Sequence, residues 1–113
     1  MKLLIVDDEP LARSRLCRLI EQQEGYEVVA EAENGQQALE ALCHQPDIIL
    51  MDIRMPVMDG ITATSTIRKK ESGSSDPAII LAITAHAFQE QKNKFLKLGF
   101  DGVLTKPFFK RDL

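Results

Sequence analysis

The sequence predicts a single α/β domain built on a mainly parallel sheet. Short, continuous apolar runs alternate with segments of helical periodicity along the 113 residues. Such runs are typical of strands buried on both faces, as in a parallel sheet covered by helices. The length fits one domain and leaves no room for two, and 44% hydrophobic residues suffice for a core.

The bulk composition excludes several classes of protein. No apolar run approaches the ~18 residues of a membrane span, and acidic residues follow the first apolar stretch too soon for a signal peptide. The net charge of −3 comes from scattered charges of both signs, which argues against a nucleic-acid surface. Cys17 and Cys43 have no metal-ligating neighbours at useful spacing and indicate reduced thiols. We therefore expect a cytoplasmic domain that contacts neither membrane nor nucleic acid.

The first part of the chain predicts a strand, a helix and an edge strand. The strands are expected over 2–6 and 27–31, and the charged ends of the second are typical of a sheet edge. Pro10 suits the first turn of the helix between them, and Gly25 ends it. Helical spacing predicts an inner face of Ala12, Leu16, Leu19 and Ile20 and an outer face of Arg13, Arg15 and Arg18.

The remainder of the chain continues the same alternation. Asn34-Gly35 indicates a turn before the second helix, and Gly60 opens the third. The predicted inward residues are Ala38, Leu39 and Leu42 in the second helix and Ala63, Thr64 and Ile67 in the third. Further strands are predicted over 48–51, 79–83 and 103–105, with a flexible loop over 71–77. The fourth helix is expected to contain Phe88, Phe95 and Leu98 and to end at Gly99.

The C-terminal segment predicts an incomplete last helix. Residues 107–113 could begin a fifth helix but supply barely a turn and a half, which is not stable alone. We therefore expect one domain over 1–113 whose last helix is truncated or absent.

Four predicted strands end in residues that can handle a phosphoryl group. They end at Asp7-Asp8, Asp52, Thr84 and Lys106. The carboxyl ends of parallel strands lie side by side, at the crevice where open α/β sheets bind ligands. Clustered carboxylates persist by taking up protons or holding a cation, and an all-oxygen site suits Mg²⁺. A carboxylate could then attack a phosphoryl group, with the Thr84 hydroxyl and the Lys106 ammonium contacting its oxygens.

Each of these residues also has an ordinary structural interpretation. Asp7-Asp8 could cap the following helix, and Asp52 could be a turn or cap residue. Thr84 could cap the fourth helix, and Lys106 could belong to a surface turn. The occurrence of all four, one per strand end, favours the phosphoryl site.

Four segments carry a resemblance to a known family. Residues 5–10 (IVDDEP), 50–60 (LMDIRMPVMDG), 83–87 (ITAHA) and 104–108 (LTKPF) resemble the receiver domain of two-component response regulators, the family of the chemotaxis regulators. The resemblance implies a doubly wound, flavodoxin-like fold with five parallel strands in the order 2-1-3-4-5. Residues 1–42 resemble receivers of LytTR-type transcription regulators, and residues 47–108 resemble those of hybrid histidine kinases.

The resemblance also implies a role for each site residue. Asp52 matches the phosphoacceptor, which takes its phosphoryl group from the phosphohistidine of a histidine kinase or phosphotransfer domain. Asp8 matches the direct ligand of Mg²⁺ (or Mn²⁺), Asp7 supports the metal through water, and the Arg54 backbone carbonyl is the third protein ligand. Thr84 matches the switch hydroxyl, and Lys106 matches the lysine that contacts the phosphoryl group. An output domain or protein beyond Leu113 would be the other partner.

The same resemblance marks departures and packing positions. The family often has Tyr or Phe three residues before the lysine, where this chain has Val103. Arg54 and His86 match positions that vary in the family and tune dephosphorylation. Arg54 could screen the acyl phosphate from water or point to solvent, and His86 could be a catalytic base or an exposed polar residue. Pro56 and Gly60 match the loop that shapes the site. Three other residues of that loop are expected to pack rather than react: Met55, Val57 and Met58.

The predicted function is a phosphorylation switch that catalyses only its own phosphoryl transfer and dephosphorylation. One alternative is a degenerate receiver that acts as a binding module, although this chain keeps every acid, the Thr and the Lys. Another is a Mg²⁺-dependent phosphatase with an aspartyl nucleophile. Such enzymes carry a second Asp two residues after the nucleophile, where this chain has Arg54.

Overall fold

A computed structural model describes residues 1–55, 57–71, 77–84 and 89–105 of the chain. Its five strands form one parallel sheet in the order β2-β1-β3-β4-β5, as predicted. The strands are β1 (Lys2–Val6), β2 (Glu27–Ala32), β3 (Ile48–Asp52), β4 (Ile79–Thr84) and β5 (Gly102–Thr105). The edge position predicted for β2 is confirmed, since β2 is the end strand of the sheet that the described residues form.

Helices connect the strands and cover both faces of the sheet. They are α1 (Pro10–Glu21), α2 (Gly35–Glu40) with a 3₁₀ turn over Ala41–His44, α3 (Gly60–Lys70) and α4 (Gln89–Lys97). Pro10 opens α1 as predicted. The predicted C-terminal end is wrong, because α1 stops at Glu21 and Gly25 lies in the following turn at φ 86°. The predictions for Phe88 and for 107–113 lie outside the described residues.

The apolar strand residues divide between two cores, because successive side chains point to opposite faces of a sheet. The larger core joins β1, β3 and β4 to the helices on one face, including Ala38, Ala63, Ile67 and Phe95. The smaller core packs Leu16 and Ile20 of α1 against the other face. Burial on both faces explains why the strands read as continuous apolar runs rather than as alternating patterns.

Arg13 does not lie on the exposed face predicted for it. Only 14% of its side chain is exposed, whereas Arg15 and Arg18 are exposed as expected. The side chain lies over the end of β2, where Nε forms an ion pair with Glu31 at 3.1 Å. A long side chain in the first turn of a helix can reach a neighbouring strand, and helical periodicity alone does not capture this.

Arg68 connects α3 to the opposite, amino-terminal edge of the sheet. Its guanidinium donates to the carbonyls of Gly99 at 2.8 Å and Ala78 at 2.7 Å. It also forms ion pairs with Glu71 at 2.8 Å and Asp101 at 2.7 Å. The end of α3, the start of β4 and the turn before β5 are thereby joined far from the carboxyl ends of the strands. Within the described ranges, no helix has the length and apolar character that crossing a membrane requires.

Candidate functional site

Strand register brings the predicted site residues to one edge of the sheet. Val6 of β1 lies opposite Met51 of β3, so Asp7 and Asp52 follow side by side. Asp52 in turn lies opposite Ile83 of β4, which places Thr84 one residue beyond it at the same edge. The convergence predicted from the parallel arrangement is therefore present for the described residues.

Three carboxylates form the centre of this edge. One carboxylate oxygen from each of Asp7, Asp8 and Asp52 lies within 4.8 Å of the others. Asp7 is 0% and Asp52 6% exposed, whereas Asp8 is exposed to solvent. Two unit charges at this separation repel by about 1 kcal/mol in water and about 3 kcal/mol at an effective dielectric of 20. A cluster of hard oxygen donors open on one side fits a divalent cation such as Mg²⁺, which retains several waters.

Asp7 is fixed by its backbone as well as by its side chain. Its N–H donates to the Ala32 carbonyl at 3.0 Å, continuing the pairing of β1 with β2. Its Oδ1 accepts from the Glu9 N–H at 2.9 Å, and its carbonyl accepts from Arg13 Nη1 at 2.8 Å. The loop between β1 and α1 thus has little freedom at its first residue.

The cap interpretation of Asp7-Asp8 is wrong. Within the described part of the chain, Glu9 is the N-cap residue of α1 and its side chain makes no capping hydrogen bond. Pro10 is the first residue of α1 and has no N–H group, so one of the free N–H groups usual at the start of a helix is absent here. Both aspartates lie before the cap position.

The loop between β3 and α3 lies tightly against the site. Gly60 N–H donates to the Ile53 carbonyl at 3.0 Å, and a Cβ on Gly60 would lie 2.2 Å from the Asp52 carbonyl oxygen. Only glycine allows this approach. Asp59 caps α3 by accepting from the Thr62 N–H at 2.7 Å. The predicted loop-shaping role of Gly60 therefore has a clear steric basis.

Gly35, the first residue of α2, also contacts the loop between β3 and α3. Gly35 N–H donates to the Met58 carbonyl at 2.9 Å, and a Cβ on Gly35 would lie 2.6 Å from that oxygen. Met55 and Met58 pack against the larger core, as predicted. Val57 does not pack: it is 83% exposed and has a φ of 68°, a strained value for a β-branched residue.

An open cavity of about 480 Å³ adjoins the acidic cluster. Asp8, Ile53, Arg54, Met55, Asp59 and Ile61 line it. Arg54, whose backbone carbonyl is a predicted metal ligand, thus lines the same cavity as Asp8. The cavity leaves Asp8 accessible to a ligand that approaches from solvent.

The remaining predicted residues lie on β4, on β5 and beyond them. Thr84 is half-buried at the end of β4, and Val103 is half-buried on β5 against the larger core. Lys106 follows β5 directly in the sequence and, like Pro56 and His86, lies outside the described residues. The structure therefore brings together the carboxylates of Asp7, Asp8 and Asp52 and places Thr84 at the same edge of the sheet.

Two residues near the site were not predicted from the sequence. Asp59 shares the cavity with Asp8, and Arg13 contacts the Asp7 carbonyl. Asp59 could have been found as an N-cap directly before Gly60. No spacing rule would have found Arg13, because its partners lie on other elements of the fold.

Comparison with known proteins identifies the family. The sequence pattern of the response regulator receiver domain matches residues 3–113. The chain belongs to this family. A chemotaxis protein CheY of Halobacterium salinarum is 40% identical over 110 residues, which cover 96% of this chain and 87% of that protein. A positive alginate biosynthesis regulatory protein of Pseudomonas aeruginosa is 41% identical over 115 residues, which cover 100% of this chain but 44% of that protein.

A solved structure supports the same assignment. It is the co-crystal structure of the Saccharomyces cerevisiae histidine phosphotransfer signalling protein Ypd1 with the receiver domain of Ssk1. The match has a TM-score of 0.86 and 31% identity, and it covers 98% of this chain and 81% of that chain. The chain is thus a receiver domain of two-component signalling with the flavodoxin-like fold.

Proposed function

We propose that Asp52 is the phosphoacceptor of this receiver domain and that Asp7 and Asp8 hold the Mg²⁺ ion that the transfer requires. The supporting observation is the convergence of three carboxylates within 4.8 Å at the carboxyl edge of a sheet in a response regulator receiver domain. Two acids of this cluster are buried, Asp7 and Asp52, and Asp52 is the one at the end of the central strand β3. Arg54 lines the same open cavity as Asp8, and its backbone carbonyl is the third protein ligand of the proposed set.

The proposed transfer moves one phosphoryl group between two side chains. An Asp52 carboxylate oxygen forms a bond to phosphorus while the bond from phosphorus to the imidazole nitrogen of the donor breaks. The imidazole keeps the electron pair, and Asp52 becomes an acyl phosphate. Mg²⁺, when bound, supplies positive charge that offsets the charge on the phosphoryl oxygens. The Lys106 ammonium and the Thr84 hydroxyl are proposed to contact those oxygens.

Phosphorylation of Asp52 is proposed to act as a switch. It would favour one state of the region after β4, where Thr84 lies, and thereby change which partner binds. Val103 packs against the larger core at the position where the family often has an aromatic residue, so the coupling is proposed to proceed through Thr84. The domain would catalyse only its own phosphorylation and dephosphorylation.

A phosphohistidine protein is the proposed donor. The Ssk1 receiver, which this chain resembles, was crystallised with the phosphotransfer protein Ypd1. A histidine kinase or phosphotransfer domain would meet the site from the open side, where Asp8 is exposed. The partner that responds to the switch would be an output domain or protein.

Intact mass spectrometry after incubation with acetyl phosphate and Mg²⁺ tests the proposal. Wild-type protein should gain one phosphoryl group, and Asp52→Asn should gain none. Asp47→Asn is the matched control, because Asp47 lies at the amino end of β3, where its side chain accepts the backbone N–H of Lys2 at 2.8 Å. Equal gain on Asp52→Asn would refute the acceptor assignment, and no gain on wild type would favour a binding module instead.

A further inference from the structure

Arg13, in the first turn of α1, contacts both the loop between β1 and α1 and the end of β2. Its Nη1 donates to the Asp7 carbonyl at 2.8 Å, and its Nε pairs with Glu31 Oε1 at 3.1 Å. A longer ion pair of 3.9 Å links its Nη2 to Glu33. The side chain as a whole is 14% exposed, and its hydrogen bond to the Asp7 carbonyl is partly buried. One side chain therefore connects α1, the end of β1 and the end of β2.

The carbonyl that Arg13 contacts belongs to the peptide between Asp7 and Asp8. A peptide unit is planar, so fixing its oxygen also fixes the direction in which the Asp8 Cα leaves Asp7. The Asp7 N–H and Oδ1 are already hydrogen-bonded to Ala32 and Glu9. The hydrogen bond from Arg13 therefore fixes the orientation of the Asp7–Asp8 peptide and, with it, the position of the Asp8 Cα.

Charge alone does not account for this arrangement. Glu31 and Glu33 both form ion pairs with the guanidinium, so the three side chains together carry no net positive charge that would attract the aspartates. A guanidinium offers several donors in a rigid fork, which lets one side chain bind a carbonyl and a carboxylate together. The geometry therefore favours a positioning role for Arg13 over a purely electrostatic one.

We infer that Arg13 is a positioning residue for the divalent-metal site. Its hydrogen bond holds the Asp7–Asp8 peptide so that both carboxylates face Asp52, as their separation of at most 4.8 Å requires. This inference rests on the proposed function, since it assumes that the three carboxylates bind Mg²⁺. It assigns to the metal site a residue of α1, Arg13, that would touch neither the metal nor the phosphoryl group.

Isothermal titration with Mg²⁺ alone tests the inference. Arg13→Met keeps the apolar stem and removes every hydrogen-bond donor. It should bind Mg²⁺ about tenfold more weakly, because losing a residue that holds metal ligands in place typically weakens binding by about that factor. Arg68→Met is the matched control, because Arg68 also joins three elements but lies at the other edge of the sheet. It should lower stability and leave Mg²⁺ affinity unchanged.

A second measurement separates positioning from loss of the acceptor. At saturating Mg²⁺, Arg13→Met should reach the wild-type extent of phosphorylation by acetyl phosphate, with only the half-saturating Mg²⁺ concentration raised. A variant that unfolds is refolded with trimethylamine N-oxide and compared with wild type in the same solution. Wild-type affinity in Arg13→Met, or an equal loss in Arg68→Met, would overturn the inference. Absence of Mg²⁺ binding by the wild type would instead overturn the proposed function.

Discussion

Replacing Asp52 by Asn should make the metal-free domain more stable. Asp52 lies within 4.8 Å of two other carboxylates, so the substitution removes two repulsive pairs. Each pair costs about 1 kcal/mol in water and about 3 kcal/mol at an effective dielectric of 20. The lower value is appropriate for the pair with Asp8, which is exposed, and it is a minimum for the pair of Asp7 and Asp52, which are both buried. We expect the free energy of unfolding to rise by at least about 2 kcal/mol, which raises the melting temperature by roughly 8 °C or more.

Urea unfolding followed by circular dichroism, in EDTA and in Mg²⁺, measures this effect. In EDTA the Asn variant should unfold at a higher urea concentration than wild type. Added Mg²⁺ should stabilise wild type by about 1.4 kcal/mol for each tenfold excess over its dissociation constant, and the variant by much less. The difference between the two proteins should therefore shrink or reverse as Mg²⁺ is added.

The control again is Asp47→Asn. Asp47 is exposed, and an Asn oxygen can accept the same Lys2 N–H. Its stability should change little in either solution. If Asp52→Asn were no more stable than wild type in EDTA, the three carboxylates would not repel one another as their separation implies. The physical argument for a cation at this edge would then fail.

Two further predictions concern a glycine and a thiol. Gly60→Ala should lower the free energy of unfolding by about 3 kcal/mol in urea, because its Cβ would lie 2.2 Å from the Asp52 carbonyl oxygen; a cost below about 1 kcal/mol would show that the loop relaxes easily. Burial first, and then the charge of Glu31, raise the pKa of Cys17 to about 11, so the thiolate forms only as pH rises towards that value. The exposed Cys43 should therefore react before Cys17 with a thiol reagent at pH 8. Glu31→Gln should increase the rate at which Cys17 reacts. Equal reaction rates of Cys17 and Cys43 in the wild type would contradict the raised pKa of Cys17.

The strands and the site acids could be predicted because they depend on local pattern. A strand buried on both faces must be apolar throughout. The first charged residue in the sequence therefore predicts where the strand ends, as at Asp7 and Asp52. Parallel strands place these ends at one edge, and the motif around them identifies the family. Thr84 follows from the same reasoning, and the structure places it at that edge.

Other features depend on contacts between residues distant in sequence. Arg13 belongs to the outward face of α1 by periodicity, yet it is largely buried against Glu31 because β2 lies beside the start of that helix. Val57 is predicted to pack, but the turn that brings Gly60 against Asp52 directs it to solvent at positive φ.

The sequence by itself determined the fold class, the strand ends and the identity of the acidic residues, because each follows from the polarity of a short segment. Only the tertiary structure decided how closely the three carboxylates approach and which side chain holds their loop. Those distances depend on strand register and on how α1 packs against β2, and neither is encoded in the spacing of residues along one element.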